Sequence, residues 1–335
     1  MARWFVAAAL AALCSVGTAR SQEAPHVIKD LEYARHDGVS LTGDLYQPSD
    51  DRPHPAVILI HGGSFRAGSK ADYGRTWGPY LAARGYVVFA IDYRLSTPQR
   101  TTWPQALVDA KAALQYVRGH AAVLGVNPDR IAIGGDSAGA TLASLVALTQ
   151  DWPAFANAYP GDPYATASTK VQAVVAIYGA YDLPAWQRYT LNTTNKGSLE
   201  QFLGGQPDQV PGQYFEASAL SYVRAAATRL GPLATPNAGV RVPWYVSWGL
   251  LDDVVPPEAQ SVTLVQALRE AGANVTAVSV PNTGHLFFRV APLTGKKGRP
   301  KCEDTTLAKY ACSGPSPNDY IQTSFLAFLS RALGR

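Results

Sequence analysis

The chain has 335 residues, of which 47% are hydrophobic and 16% charged, with a formal net charge of +4. So much apolar sequence excludes an intrinsically disordered chain and suffices for one large core. The positive balance is thinly spread, and its one dense run, Lys296, Lys297, Arg299 and Lys301, lies among Gly and Pro residues. That is the composition of a solvated loop, so no nucleic-acid partner is expected.

Arg3 precedes an apolar stretch from Trp4 to Val16, closed by Gly17, Thr18 and Ala19. A membrane-spanning helix needs about twenty apolar residues. This shorter stretch reads instead as a signal peptide, residues 1–19, cleaved near Ala19. Leu13, not a small residue, precedes Cys14, which disfavours a lipid-anchored form. The expected location is secreted or periplasmic, with no transmembrane segment.

Two alternating runs, Val27 to Arg35 and Val39 to Tyr46, flank His36, Asp37 and Gly38, the composition of a tight antiparallel hairpin. After the loop from Pro48 to Pro55 the pattern changes to short, continuously apolar runs: Ala56 to Ile60, Tyr86 to Ile91, Arg130 to Ile133, Val171 to Tyr178, Trp244 to Trp248 and Val275 to Val280. Such strands are covered on both faces. Helical stretches lie between several of them: Trp103 to Arg118, Ala138 to Leu148 and Pro256 to Ala271. The expected fold class is therefore α/β, a doubly wound, mostly parallel sheet with an antiparallel N-terminal hairpin, forming one domain over residues 26–335.

Two segments break this rhythm, residues 151–169 and 182–240. In the second, Trp186, Tyr189, Phe202, Tyr214, Phe215 and Tyr222 sit among Gly, Asn, Gln and Pro. Long irregular excursions from a compact domain are usually functional, and both segments are expected to form a small, partly ordered cap over a pocket. A closing helix from Tyr320 to Leu333 carries Phe325, Phe328 and Leu329 at helical spacing. Without the signal, two cysteines remain, Cys302 and Cys312. Export predicts a disulfide between them, worth roughly 2 to 3 kcal/mol in the chain-entropy model.

Gly135, Asp136, Ser137, Ala138 and Gly139 fit G-x-S-x-G, directly after an apolar strand and directly before a helix. Glycines permit the strained strand-to-helix turn that exposes a nucleophilic serine at a helix N-terminus. Asp136 is expected to be a structural acceptor for nearby N–H groups. The second motif, His61, Gly62, Gly63, Ser64 and Phe65, follows another apolar strand. A loop there can form an oxyanion hole, assigned to the N–H groups of Gly63 and Ser64 together with that of Ala138. His61 itself is expected to shape the loop by hydrogen bonding.

A serine nucleophile needs a base, and the base needs an orienting carboxylate. His285, just after the strand Val275 to Val280, lies on the sheet edge where ligands bind. The other histidines lie among opening strands and loops or at a helix end. For the acid, Asp252 and Asp253 both follow the strand Trp244 to Trp248, and Asp182 is a third candidate.

Together these residues resemble the hormone-sensitive-lipase-like branch of the α/β-hydrolases and, more loosely, the dienelactone-hydrolase and feruloyl-esterase-like members near it. His61 to Phe65 looks like the HGGG loop, with Ser64 in place of the last glycine. Asp92, Tyr93 and Arg94, then Trp103 and Pro104, resemble the branch's DYR and aromatic-Pro segments. Gly249 through Asp252 to Val255 and Pro256 is similar to G-x-x-D-x-x-V-P, which selects Asp252 as the acid. Phe202 to Gly205 and Ser218 to Val223 resemble cap-side segments, whereas Thr294 to Ser316 is longer than the branch leads one to expect.

The implied protein is a serine carboxylesterase with a Ser137, His285, Asp252 triad, acting through an acyl-enzyme on short-chain or aryl esters, either small or borne on a polymer. No metal and no cofactor are implied. A secreted peptidase or amidase would need an amine anchor such as paired cap Glu residues, and an inactive binding protein would commonly lack a triad member.

Overall fold

The computed structural model describes residues 24–74, 76–228, 238–289 and 317–334. The expected signal peptide and the Cys302–Cys312 pair lie outside the described residues. Strands β1 (His26–His36) and β2 (Val39–Gln47) pair antiparallel. They are joined through Asp37 and Gly38, whose φ values of 49° and 77° supply the two left-handed positions of a two-residue hairpin turn.

The remaining strands are β3 (His54–Ile60), β4 (Val87–Ile91), β5 (Val126–Asp136), β6 (Ala173–Ile177), β7 (Trp244–Gly249) and β8 (Val275–Val280). The sheet runs in the order β1-β2-β4-β3-β5-β6-β7-β8. Strand β2 meets β4 antiparallel, and every pairing from β4 to β8 is parallel. Every residue of β3, β4, β6 and β7 is buried, which is why these strands read as continuous apolar runs.

Helices α1 (Trp77–Ala82), α2 (Gln105–Gly119) and α3 (Ala138–Thr149) pack beside the first five strands. They are followed by α4 (Pro153–Ala156), α5 (Leu183–Thr190), α6 (Ser198–Leu203), α7 (Pro211–Glu216), α8 (Ala219–Thr228) and α9 (Ala238–Arg241). Last come α10 (Thr263–Glu270) and α11 (Pro317–Leu333), both packed on β8. The stretch expected as one helix from Pro256 opens with a π-helical turn, Glu258–Val262. The turn carries Gln260, whose buried amide oxygen accepts from the N–H groups of Tyr181 (2.7 Å) and Asp182 (2.9 Å) after β6. No described helix is long and apolar enough to cross a membrane.

The described residues of the second cap segment, 182–228 and 238–240, form short helices with local start and stop signals: Asp182 accepts from Ala185 N at 3.0 Å, Pro184 and Pro211 sit in first turns, and Gly204 ends α6 at φ 92°. Trp186, Phe202, Tyr214 and Tyr222 are buried in the common core, and only Tyr189 and Phe215 are exposed. Short, polar-flanked helices carry too little periodicity to be told from loop.

Residues 151–169 pack on α2 and the hairpin rather than on the motif-bearing loops. Gln115 donates to the carbonyls of Ala156 and Ala165, both at 2.8 Å, and His36 holds Asp162 at 2.8 Å.

Candidate active site

Ser137 stands between β5 and α3 at φ 53° and ψ −121°, a conformation that L-residues adopt only under constraint. The glycines on either side make that turn feasible. A Cβ on Gly135 would lie 2.3 Å from the Ile60 carbonyl oxygen, and one on Gly139 only 1.9 Å from the same atom. Strand β3 therefore runs against the turn, and Ser137 N donates to Ile177 O at 2.9 Å from the other side. The first N–H groups of α3 have no intrahelical acceptor, which favours negative charge beside Ser137.

The loop after β3 is held in an equally restricted shape. Gly63, Ser64 and Phe65 have φ values of 127°, 53° and 62°, and a Cβ on Gly63 would lie 2.0 Å from Ala67 O. The Gly63 carbonyl accepts from Arg66 N (3.1 Å) and Ala67 N (3.0 Å). Among the described residues, the N–H groups of Gly63, Ser64 and Ala138 donate to no protein acceptor. His61 is buried, shares a 2.8 Å hydrogen bond with Gly62 O and stacks on Tyr93 at 4.5 Å. Burial lowers its pKa.

Asp136 ties these two turns together. Its buried carboxylate accepts from Gly62 N (3.0 Å), Tyr73 OH (2.6 Å), Arg289 Nε (2.9 Å) and Tyr178 OH (3.4 Å). Arg289 also reaches Asp72 at 3.1 Å. Sequence reasoning missed Tyr73, Tyr178 and Arg289. No motif surrounds them, and they meet Asp136 from separations of 63, 42 and 153 residues.

The loops after β7 and β8 supply the remaining groups. A Cβ on Gly249 would lie 2.3 Å from Thr283 O, and Leu251 N donates to that oxygen at 2.8 Å, so the two loops are in contact. Asp252 Oδ2 lies 2.7 Å from His285 Nδ1, and Oδ1 accepts from Val254 N (3.0 Å) and Val255 N (2.9 Å). Asp253 is exposed, and Asp182 caps α5. The structure thus brings Asp252 to His285, and neither other candidate.

The His285 ring packs 4.4 Å from that of Tyr178. Ser137 Oγ and His285 share no hydrogen bond here, and in unliganded sites such contacts are often long. No cluster of three or more His, Cys, Asp or Glu side chains suited to a metal occurs among the described residues.

A strained serine between strand and helix, an adjoining loop of free N–H groups, and an Asp–His pair carried by the last two strands define an α/β-hydrolase. The BD-FAE family model matches residues 43–268, and the chain belongs to that family. Among its relatives is the Mycobacterium tuberculosis protein described as "Probable carboxylic ester hydrolase LipM", 34% identical over 259 residues, covering 77% of this chain and 53% of the relative. Another is "Ethyl acetate hydrolase" of Pseudomonas putida, 27% identical over 277 residues, covering 80% of this chain and 78% of the relative. Esterase 2 of Thermogutta terrifontis aligns with a TM-score of 0.58 at 25% identity, covering 80% and 85% of the two chains. The chain spans about half the length of the first mycobacterial relatives, 53% and 56% of theirs.

Proposed function

We propose that this protein is a carboxylic-ester hydrolase working through an acyl-enzyme on Ser137. The observation that carries the reading is the 2.7 Å pairing of His285 Nδ1 with the buried Asp252 carboxylate on the sheet edge that bears the Ser137 turn. With Nδ1 engaged, Nε2 is the nitrogen left to take the serine proton. Ser137 Oγ attacks the carbonyl carbon, His285 takes the proton, and the carbonyl oxygen becomes the oxyanion, met by the N–H groups of Gly63, Ser64 and Ala138. His285 then protonates the departing alcohol. Water repeats the sequence on the acyl-enzyme and releases the acid.

The names carried by its relatives support ester hydrolysis. Short-chain and aryl esters are the proposed substrates, the former by analogy with the relative named as an ethyl acetate hydrolase. Export is part of the same reading, with residues 1–19 removed, and N-terminal sequencing of protein recovered outside the cytoplasm tests it.

The decisive experiment is hydrolysis of p-nitrophenyl esters from acetate to long acyl chains by the wild type and by Ser137→Ala. Activity that disappears in the variant supports the proposal. A wild type that hydrolyses no ester and takes up no fluorophosphonate label overturns it in favour of an inactive binding protein.

A further inference from the structure

The segment from α5 to α6 touches both halves of the site. On one side, Trp186 Nε1 donates to Val254 O at 3.1 Å and Tyr189 OH to Asp253 O at 2.6 Å. These carbonyls belong to the turn immediately after Asp252, whose Val254 and Val255 N–H groups hold the Asp252 carboxylate. On the other side, Ser64 Oγ donates to Asn195 Oδ1 at 2.8 Å and Arg66 donates to Thr194 O at 2.9 Å. Phe65 stacks face to face on Phe202, with centroids 3.8 Å apart and planes 3° from parallel.

The span between these grips is itself fixed. Asn195 N bonds Thr193 Oγ1 at 3.2 Å, Ser198 N bonds Asn195 O at 3.0 Å, and Gln187 Nε2 ties α5 to Glu200 of α6 at 2.7 Å. The loop it grips needs such help. Ser64 is a residue with a side chain held at φ 53° between two further positive-φ positions, a conformation that persists only when its surroundings over-determine it. An oxyanion hole works only if its donors are fixed before the charge develops.

We infer that the segment Trp186–Phe202 is a brace that positions the oxyanion loop and the acid-bearing turn together, with Asn195 and Tyr189 as its positioning residues. This rests on the esterase reading. Asn195 touches no reacting atom and acts through Ser64. Asn195→Ala removes the acceptor for the Ser64 hydroxyl and loosens the N–H groups of Gly63 and Ser64, so kcat falls about tenfold while KM stays within about twofold, the pattern of an interaction made in the transition state. Asn195→Asp keeps an acceptor oxygen and restores kcat. In a double-mutant cycle Ser64→Ala adds little to Asn195→Ala, because the two share one bond.

Hydrogen exchange reads the brace without reference to activity. Asn195→Ala should speed exchange at the Arg66 and Ala67 amides, and Tyr189→Phe at the Val254 and Val255 amides, each leaving the β5 amides unchanged. Unaltered exchange at both loops overturns the brace even if the enzyme is active. Altered exchange in a chain that hydrolyses no ester upholds the brace and fails the esterase reading. A loss of kcat that Asn195→Asp does not rescue, or strictly additive effects in the cycle, also overturns it.

Discussion

Asp136→Asn probes how far the site depends on the ionic centre behind it. Asn has nearly the same shape but must place an NH2 at one of the two carboxylate oxygen positions. At the Oδ2 position the NH2 meets Arg289 Nε, and at the Oδ1 position it meets Gly62 N; Tyr73 could turn its hydroxyl to Ile60 O, 3.0 Å away, but a backbone N–H has no such freedom. Either orientation leaves a buried donor facing a donor and removes the charge opposite Arg289.

Breaking a buried ion pair costs about 3 to 5 kcal/mol. Arg289 is 23% exposed in its side chain and keeps Asp72, so the low end, about 3 kcal/mol, applies. With an unfolding entropy near 2.1 cal/mol/K per residue, a domain of this length loses about 5 °C of Tm. Calorimetry on the two proteins at one scan rate, with circular dichroism confirming a folded variant, measures it. A shift below about 1 °C would refute the reasoning, for it would mean that the four donors gain nothing from a charged acceptor.

Asp252→Asn retains its carbonyl oxygen for Val254 N and Val255 N, and so turns an NH2 toward His285 Nδ1, forcing the proton onto Nε2 where the base must be free. A kcat loss of about 10³ to 10⁴ is expected with Tm little changed, by analogy with the protease case; a loss under about thirtyfold in p-nitrophenyl acetate hydrolysis would detach Asp252 from catalysis.

Lys111 is buried between α2 and residues 150–169, bonded to Thr169 Oγ1 at 3.2 Å and to Gln150 O, and burial pushes its pKa down to about 7. Between about pH 7 and 10 the unfolded chain therefore carries a proton the folded chain lacks. This group's contribution to stability rises as pH climbs and is lost as pH falls toward 7. From pH 7 to 9 the wild type should gain about 2 kcal/mol relative to Lys111→Met in urea unfolding. An unchanged difference between the two proteins would refute the buried neutral amine.

Much of this protein was legible in its sequence because much of it is set locally. The Asp37-Gly38 turn, the runs of β3, β4 and β7, and the glycines around Ser137 each express a constraint acting within a few residues: a positive φ, a strand covered on both faces, a backbone too close for a Cβ. Ser137 and His285 could be singled out from those elements alone. Asp252 was chosen over its neighbour Asp253 by resemblance, since both follow the same strand and only the folded turn brings one carboxylate to within 2.7 Å of the histidine.

Among the described residues of 182–240, the helices were missed because they are short and present no sustained period, and Trp186, Phe202, Tyr214 and Tyr222 found a core that belongs to the whole domain. The partners that hold the site lie far away in the chain: Arg289 and Tyr73 on Asp136, and Asn195 on Ser64 across 131 positions. The sequence by itself determined the backbone turns that present a serine, a loop of free N–H groups and a histidine. Only the tertiary structure decided which distant side chains hold them, because such contacts depend on how loops from separate strands pack against each other, and no local pattern encodes that.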